Sequence, residues 1–407
     1  MKILKVTSKD LEKIYNRSLL DRKRVRERVA KIIEDVRLFG DDALIKYTRK
    51  FDAVKLTQKQ LVVSEREISA AYQNISSDFV ATLKLVIENI NRFYKKQIKK
   101  SWKMRSVDGV IVGEQITPIE NIGVYIPAGT APLFSSVYMS VLPAKLAGVK
   151  RIVLATPPNK AGFVDPHTLV VADLLKVNEI YKVGGAQAIA ALALGTKTIA
   201  RVDKIVGPGN VYVTEAKKQV FGICDIDMLA GPTELVVIAN RFSKYEFVKA
   251  DLIAQAEHAG GLAILITNSK HLARQLRSEI PSGYIIITKN LEQAVEVANR
   301  IAPEHLEIIT NNPRKLLKKI KNAGAVFLGP YSPVAVGDYI AGPSHVLPTG
   351  GSARFFSGLG LCDFLKSTHV IWYSKKALEA VKAPLEKIGT AEGLIKHIDS
   401  VKARFKD

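Results

Sequence analysis

Cysteine is scarce in this chain: 407 residues hold only Cys224 and Cys362. Two thiols cannot build a disulfide framework or a cysteine-rich zinc site, and their rarity fits a reducing, cytoplasmic compartment. Acid is also short, with 39 Asp and Glu against 60 Lys and Arg, a net charge of +21. That balance favours anionic partners and says nothing about fold. No apolar run follows Met1, so the start predicts no secretory signal. One stretch, Asn121 to Ala144, has no charge over 24 residues. Pro127, Pro132, Pro143, Gly123 and Gly129 interrupt it and would leave a spanning helix with unsatisfied backbone, so it reads as a buried strand, a loop and a helix start. Internal repeats and low-complexity segments are missing too. With 47% apolar and 24% charged residues, a disordered, collagen-like or coiled-coil chain is excluded. The length predicts two or three units with cores of their own.

The first hundred residues read as helical. Thr7 to Asp10 and Ser64 to Glu67 match the capping-box pattern, and Phe79, Leu83, Val86, Ile87, Ile90 and Phe93 recur at helical spacing. Arg92 to Arg105 carries seven basic residues and no acid. From about Gly109 short β-branched runs alternate with helical patterns. The candidate strands are Gly123–Ile126, Arg151–Ala155, Glu179–Val183, Lys204–Val206, Leu235–Ala239, Ala263–Thr267, Tyr284–Thr288, Glu307–Ile309 and Ala325–Leu328. Between them lie helical stretches such as Ser136–Ala147, Gln187–Leu194, Tyr245–Ala259, Leu291–Ala302 and Pro313–Ala323. This alternation predicts βαβ units and mainly parallel sheets, in two α/β modules divided near Gly231-Pro232. After Gly350 the sheet pattern stops and a helical, basic tail follows.

Parallel α/β sheets bind ligands beyond the carboxyl ends of their strands. Three Gly-rich turns are predicted at such ends: Ile122 to Gly129, Val183 to Gln187, and Val206 to Asn210. Each precedes a helix whose free N–H groups can hold an anion, yet none is the dinucleotide fingerprint G-x-G-x-x-G, and ordinary strand-to-helix turns are the plainer reading. The histidines carry more. Gln255 and His258 stand three apart on one helical face, Glu304 adjoins His305, Asp338 and His345 share one loop, and Glu392 and His397 lie five apart in the tail. Zinc takes imidazole nitrogen and carboxylate oxygen. His258, Asp338 and His397, with Gln255 as an unusual fourth, make one candidate set, although spacings of 80 and 59 residues carry no signature. Exposed or hydrogen-bonded loop residues are the other reading. Glu304-His305 is either a charge pair at a helix end or a general-base pair.

Taken in order, these segments resemble histidinol dehydrogenases over nearly the whole chain. The resemblance rests on Gly123-Val-Tyr-Ile-Pro-Ala-Gly129, Gly184 to Ala191, Asp203 to Asn210, Ala230-Gly-Pro-Thr-Glu234, Gln255-Ala-Glu-His258, Ala302 to Glu307, Gly337-Asp338, His345 to Thr349 and Ala391 to Leu394. It implies zinc-dependent, NAD-linked oxidation of L-histidinol to L-histidine through histidinaldehyde, with two NAD used in turn. By that likeness the zinc ligands fall on Gln255, His258, Asp338 and His397, and the acid–base pair on Glu304 and His305. Substrate contacts fall on Thr233, Gln255, His258, His305, Asp338, His345, Glu392 and His397, and NAD contacts on Tyr125, Gln187 and Asn210. In this reading His305 takes the hydroxyl proton, Glu304 activates the water that adds to the aldehyde, and a protonated His345 suits the developing carboxylate. The implied fold is a pair of incomplete Rossmann-like modules with helical segments at both ends. Its expected divisions are 1–19, an α/β domain of 20–124 with 234–359 carrying the catalytic and zinc residues, an inserted NAD domain at 125–233, and a dimerisation tail at 360–407. The tail is expected to cross to the partner of a homodimer and complete its site. Thr233 stands where Ser is commoner, and Ala259 where Gly is.

Two other readings stand beside this one. A related zinc and NAD dehydrogenase of another polar alcohol would be expected to replace part of the shell Thr233, His345 and Glu392. A nucleic-acid-binding protein would use the basic run with Phe93, Tyr94 and Trp102 as stacking platforms. A thiol route through Cys362 is a third, mechanistic option; no base stands near it in sequence.

Overall fold

The computed structural model describes residues 1–19, 22–128, 132–258 and 260–405. They form two compact units, Met1–Gln97 with Ile119–Phe364, and Ile98–Pro118 with Leu365–Asp407. Gly129 and Ala259, singled out above, lie outside the described residues.

The first unit holds two parallel sheets. One has six strands, β1 (Lys2–Lys5), β11 (Tyr284–Ile287), β10 (Leu262–Thr267), β9 (Glu234–Ala239), β12 (His305–Ile309) and β13 (Ala325–Leu328), in that order. All six residues of β9 are buried, because helices cover both faces of such a sheet. Alternate residues serve opposite faces. Val236, Ile238, Leu306 and Ile308 fill one core, while Leu235, Val237, Ala239 and Ile309 fill the other. That is why these strands read as unbroken apolar runs. The second sheet has five strands, β6 (Glu179–Lys182), β5 (Arg151–Thr156), β4 (Asn121–Tyr125), β7 (Lys204–Val206) and β8 (Asp225–Ile226), again in that order. The change of sheet between β8 and β9 brackets Gly231-Pro232.

All nine expected strands form, with ends moved by one or two residues. The uncharged stretch splits as expected into β4, a loop and the buried helix Ser135–Ala147. Among the described residues no helix is long and apolar enough to cross a membrane. The helix Ser77–Tyr94 buries Leu83, Val86 and Ile90, and Ser64 with Glu67 closes a capping box. Three details differ. Ser8, and not Thr7, caps the helix Lys9–Tyr15 by accepting from the Asp10 N–H at 3.2 Å. The helix at Pro313 ends at Leu317. The first residues contain an edge strand, β1, which the charges of Lys-Ile-Leu-Lys disguise because only Leu4 is buried.

The second unit is an antiparallel sheet, β2 (Trp102–Arg105), β3 (Val110–Pro118) and β14 (Leu365–Tyr373), followed by the helices Lys375–Ala391 and Ile395–Lys402. The tail is therefore helical only after a nine-residue strand. Neither β2 nor β14 contains a buried residue, so the sequence carries no inward–outward alternation to mark them. Their pairing through β3 joins segments some 250 residues apart, which local patterns cannot report.

Candidate active site

His305 opens β12 and Glu304 immediately precedes it; the strand runs beside β9 with His305 opposite Leu235. The pair thus lies at the amino end of its strand, not the carboxyl end where α/β ligand sites are ordinarily sought. Its entry is strained. Ala302 has φ +47° and ψ +64°, a left-handed conformation that a non-glycine residue keeps only when its surroundings hold it there.

One residue, Glu234, holds both side chains. Its carbonyl faces His305 Nδ1 at 3.1 Å. A carbonyl only accepts, so in the neutral ring Nδ1 carries the proton and Nε2 keeps its lone pair. That Nε2 is buried with no hydrogen-bond partner, 3.8 Å from Asp338 Oδ1. Burial holds the ring below its ordinary pKa of 6.5, against the pull of the Asp338 charge. The Glu234 N–H donates to Glu304 Oε2 at 2.8 Å. Burial drives the Glu304 carboxyl well above the usual carboxylate range; hydrogen bonds from Thr233 and the Glu234 N–H oppose this, and the charges of Glu234 and Asp338 reinforce it. Glu234 is itself clamped. Arg17 reaches its two carboxylate oxygens at 2.5 and 2.6 Å, and the Gly350 N–H donates to it at 3.0 Å.

His345 is hydrogen-bonded at both ring nitrogens. Nδ1 donates to the Asp338 carbonyl at 2.8 Å, which leaves Nε2 to accept from the Ser136 hydroxyl at 3.0 Å. Burial pushes its pKa down to about 4. The ring is neutral at physiological pH and offers no positive charge to an anion, because no acid side chain compensates its desolvation.

His305, Asp338 and His345 line one cavity of about 900 Å³ with Tyr94, Phe327 and Asp227. Cys362 also lines it and is exposed; the other thiol, Cys224, is buried and pushed up to about 12. The charge of His258 acts on Asp338 together with that of His305, drawing its raised carboxyl pKa partly back down. Gln255 ends the helix Tyr245–Ala256, and its amide Nε2 is buried without a partner. Gly261 packs against it so closely that a β-carbon there would stand 2.9 Å from the Gln255 carbonyl. Gln255, His258 and Asp338 therefore offer amide oxygen, imidazole nitrogen and carboxylate oxygen, a donor set that suits a zinc ion. Among the described residues no three His, Cys, Asp or Glu side chains gather into a ready cation site. The set accordingly needs the amide, and a closed four-ligand site needs one donor more.

The Gly-rich turns follow β4, β6 and β7 as expected. Tyr125 ends β4 as a buried residue, and its hydroxyl accepts from the Gly185 N–H at 3.0 Å. Gln187 is buried in the helix that Gly185 begins, with Oε1 unpartnered. Tyr125 and Gln187 are thus brought together through Gly185. Asn210 is exposed and its side chain caps the helix Val211–Val220, accepting from the N–H groups of Tyr212 and Val213 at 2.9 and 3.2 Å. The turn before it is locked from beneath. Asp227 accepts from the Gly207 N–H at 2.7 Å, and the buried Lys217, paired with Asp227, donates to the Gly207 carbonyl at 2.9 Å. Gly207 has φ +116°, and a β-carbon there would stand 2.1 Å from the Tyr125 carbonyl oxygen. Glu392 and His397 lie in the second unit, both exposed, at the C-cap of one helix and within the next.

The sequence reading passed over Glu234, Arg17 and Ser136. Glu234 stands inside a recognised motif, but it works through its backbone, which no residue type announces. Ser136 and Arg17 act across 209 and 217 positions.

A family model described as histidinol dehydrogenase matches residues 15–405. The histidinol dehydrogenase of Clostridium acetobutylicum is 48% identical over 394 residues, covering 92% of this chain and 91% of that protein. That of Caldanaerobacter subterraneus subsp. tengcongensis is 47% identical, covering 97% and 95%. The crystal structure of histidinol dehydrogenase from Elizabethkingia anophelis superimposes with a TM-score of 0.92 at 36% identity, covering 100% of this chain and 98% of that one.

Proposed function

The chain belongs to the histidinol dehydrogenase family, and from that premise we propose how its own residues oxidise L-histidinol to L-histidine, through histidinaldehyde, in the His305 cavity. The observation that carries the assignment of roles is His305 Nε2: a neutral, buried, unpartnered nitrogen at the cavity, its ring oriented by the Glu234 carbonyl. Such a nitrogen accepts a proton without first breaking another bond. His305 takes the proton of the substrate hydroxyl there. Asp338, 3.8 Å away, stabilises the imidazolium that results. NAD, used twice, would take the hydride of each oxidation, with the Tyr125, Gln187 and Asn210 turns as its proposed seat.

Gln255, His258 and Asp338, with His397 of the partner subunit, would hold one zinc ion, whose chemistry is to bind the amine and imidazole nitrogens of the substrate and orient its carbinol carbon. Thr233 and the partner subunit's Glu392 complete the proposed substrate shell. His345 contributes as a neutral hydrogen-bonding group, tied to Ser136 and the Asp338 carbonyl. Glu304 serves the second oxidation, activating the water that adds to the aldehyde. It can do so only when ionised, a form that its burial disfavours. The proposed homodimer follows from a ligand donated in trans, and the cytoplasm from the scarcity of cysteine. The test is NADH formation from L-histidinol by the purified protein. Turnover that a chelator abolishes and zinc restores is the expected result; chelator-resistant turnover removes the metal from the reading.

A further inference from the structure

Beside the catalytic cavity lies a second acidic pair that the reaction does not use. Glu307, two residues after His305 on the same face of β12, is buried to 1% exposure. Its Oε1 accepts from the Val334 N–H at 3.0 Å. Asp251, half-buried on the helix Tyr245–Ala256, sets its carboxyl beside that of Glu307. The pair sits at the edge of an apolar cluster that includes Val248, Leu252 and Ile309, with Val334 packed on it.

Three spacings make this pair more than a polar inclusion. Asp251 precedes Gln255 by one helical turn. Glu307 follows His305 by one strand repeat. Val334 precedes Asp338 by one turn of the helix Val334–Tyr339. The same three elements that present Gln255, His305 and Asp338 are therefore joined one repeat away. Glu307 Oε2 is buried without a hydrogen-bond partner. A proton shared with the neighbouring Asp251 carboxyl would satisfy that oxygen. Consistently, burial and the neighbouring Asp251 push the Glu307 carboxyl up to about 9.

We propose that Glu307 is a positioning residue for the oxidation: paired with Asp251 on one side and hydrogen-bonded to the Val334 N–H on the other, it sets the spacing of Gln255, Asp338 and His305. The proposal rests on the reading of the site given above. Outer hydrogen bonds of this kind commonly govern metal affinity and activity by about tenfold to a hundredfold.

The variants Glu307→Met and Glu307→Gln separate this role from the alternatives. The first fills the volume without hydrogen bonds. The second keeps a neutral group that donates to Asp251 and accepts from Val334. Three quantities are measured: zinc affinity of the metal-free protein by competition with a coloured chelator, kcat and KM for L-histidinol, and the His305 ring signal in protein carrying isotope-labelled histidine. We expect Glu307→Met to lose about tenfold or more in zinc affinity and kcat and to shift the His305 signal, and Glu307→Gln to restore all three. A Glu307→Met protein matching the wild type overturns the proposal. So does a Glu307→Gln protein as impaired as Glu307→Met, which would mark Glu307 as a proton carrier. Should Glu307→Met fail to fold, Asp251→Leu breaks the same pair at a half-buried position and should show the same losses; unchanged zinc affinity and His305 signal there also overturn it. If the wild-type protein makes no NADH from L-histidinol, the functional reading fails, while zinc affinity and the His305 signal still decide the positioning role.

Discussion

At His305 a single backbone carbonyl sets the chemistry. It orients the ring, assigns the tautomer and leaves Nε2 free, whereas burial pushes the adjacent Glu304 carboxyl well above the usual carboxylate range. The two residues should therefore fail differently. His305→Asn is expected to slow alcohol oxidation by about a hundredfold to ten-thousandfold, the range of general-base contributions. Glu304→Gln should spare that step and slow the oxidation of supplied histidinaldehyde; single-turnover rates with each substrate make the comparison. Because the Glu304 pKa is raised, its ionised fraction grows with pH above the ordinary carboxylate range, and the aldehyde step should accelerate as pH rises and lose that dependence in Glu304→Gln. Glu307 makes a stability prediction of defined sign. Its ordinary pKa of 4.5 rises to about 9 in the fold, so between those values the folded state holds a proton that the unfolded chain has released. That contribution to stability falls as pH rises through the window. Denaturant unfolding of wild type and Glu307→Gln at several pH values should show the difference between them shifting in favour of the variant as pH increases.

Among elements, the adjacent strands β9 and β12 build the site. Parallel pairing puts the Glu234 backbone beside the Glu304–His305 pair, and the Arg17–Glu234 ion pair fixes the start of β9 from the N-terminal segment. Both partners are largely buried, with side-chain exposures of 14% and 5%. Removing one partner leaves the other charge uncompensated, which typically costs about 3–5 kcal/mol. Arg17→Met should destabilise the protein by about that amount in denaturant unfolding and impair both oxidations, although Arg17 does not line the cavity. The helices and strands of this unit were legible because each is bounded by turn chemistry and filled by apolar residues. The position of the Glu304–His305 pair at a strand's start was legible too, but the groups that face it were not. The sequence showed Glu304-His305 just before a strand, and the rule that α/β ligand sites lie at carboxyl ends pointed elsewhere. The three Gly-rich turns do obey that rule, each standing between a strand of the five-stranded sheet and its helix. The surroundings of His345 were hidden for a related reason. Its burial, together with the Asp338 carbonyl and the Ser136 hydroxyl, comes from chain segments that its own neighbours do not reveal.

For the whole molecule, the proposal that the tail acts in trans has a decisive test. His397→Ala and His305→Asn homodimers should each be inactive. Mixed under conditions that exchange subunits, each heterodimer would contain one intact site, since wild-type His305 and His397 then meet from different chains. Random pairing predicts recovery of roughly a quarter of wild-type activity. No recovery despite demonstrated exchange would place all ligands on one chain. The sequence by itself determined the parallel α/β class, nine of the eleven strands of its two parallel sheets and the family to which the chain belongs, because hydrophobic periodicity and motif order are local, one-dimensional properties. Tertiary structure alone decided the burial of Glu304, the hydrogen bonds of His345, the free nitrogen of His305, the clamping role of Glu234 and the antiparallel sheet of the second unit. Each of those depends on which groups meet after distant segments pack and exclude water, and desolvation and long-range pairing leave no mark on neighbouring residues.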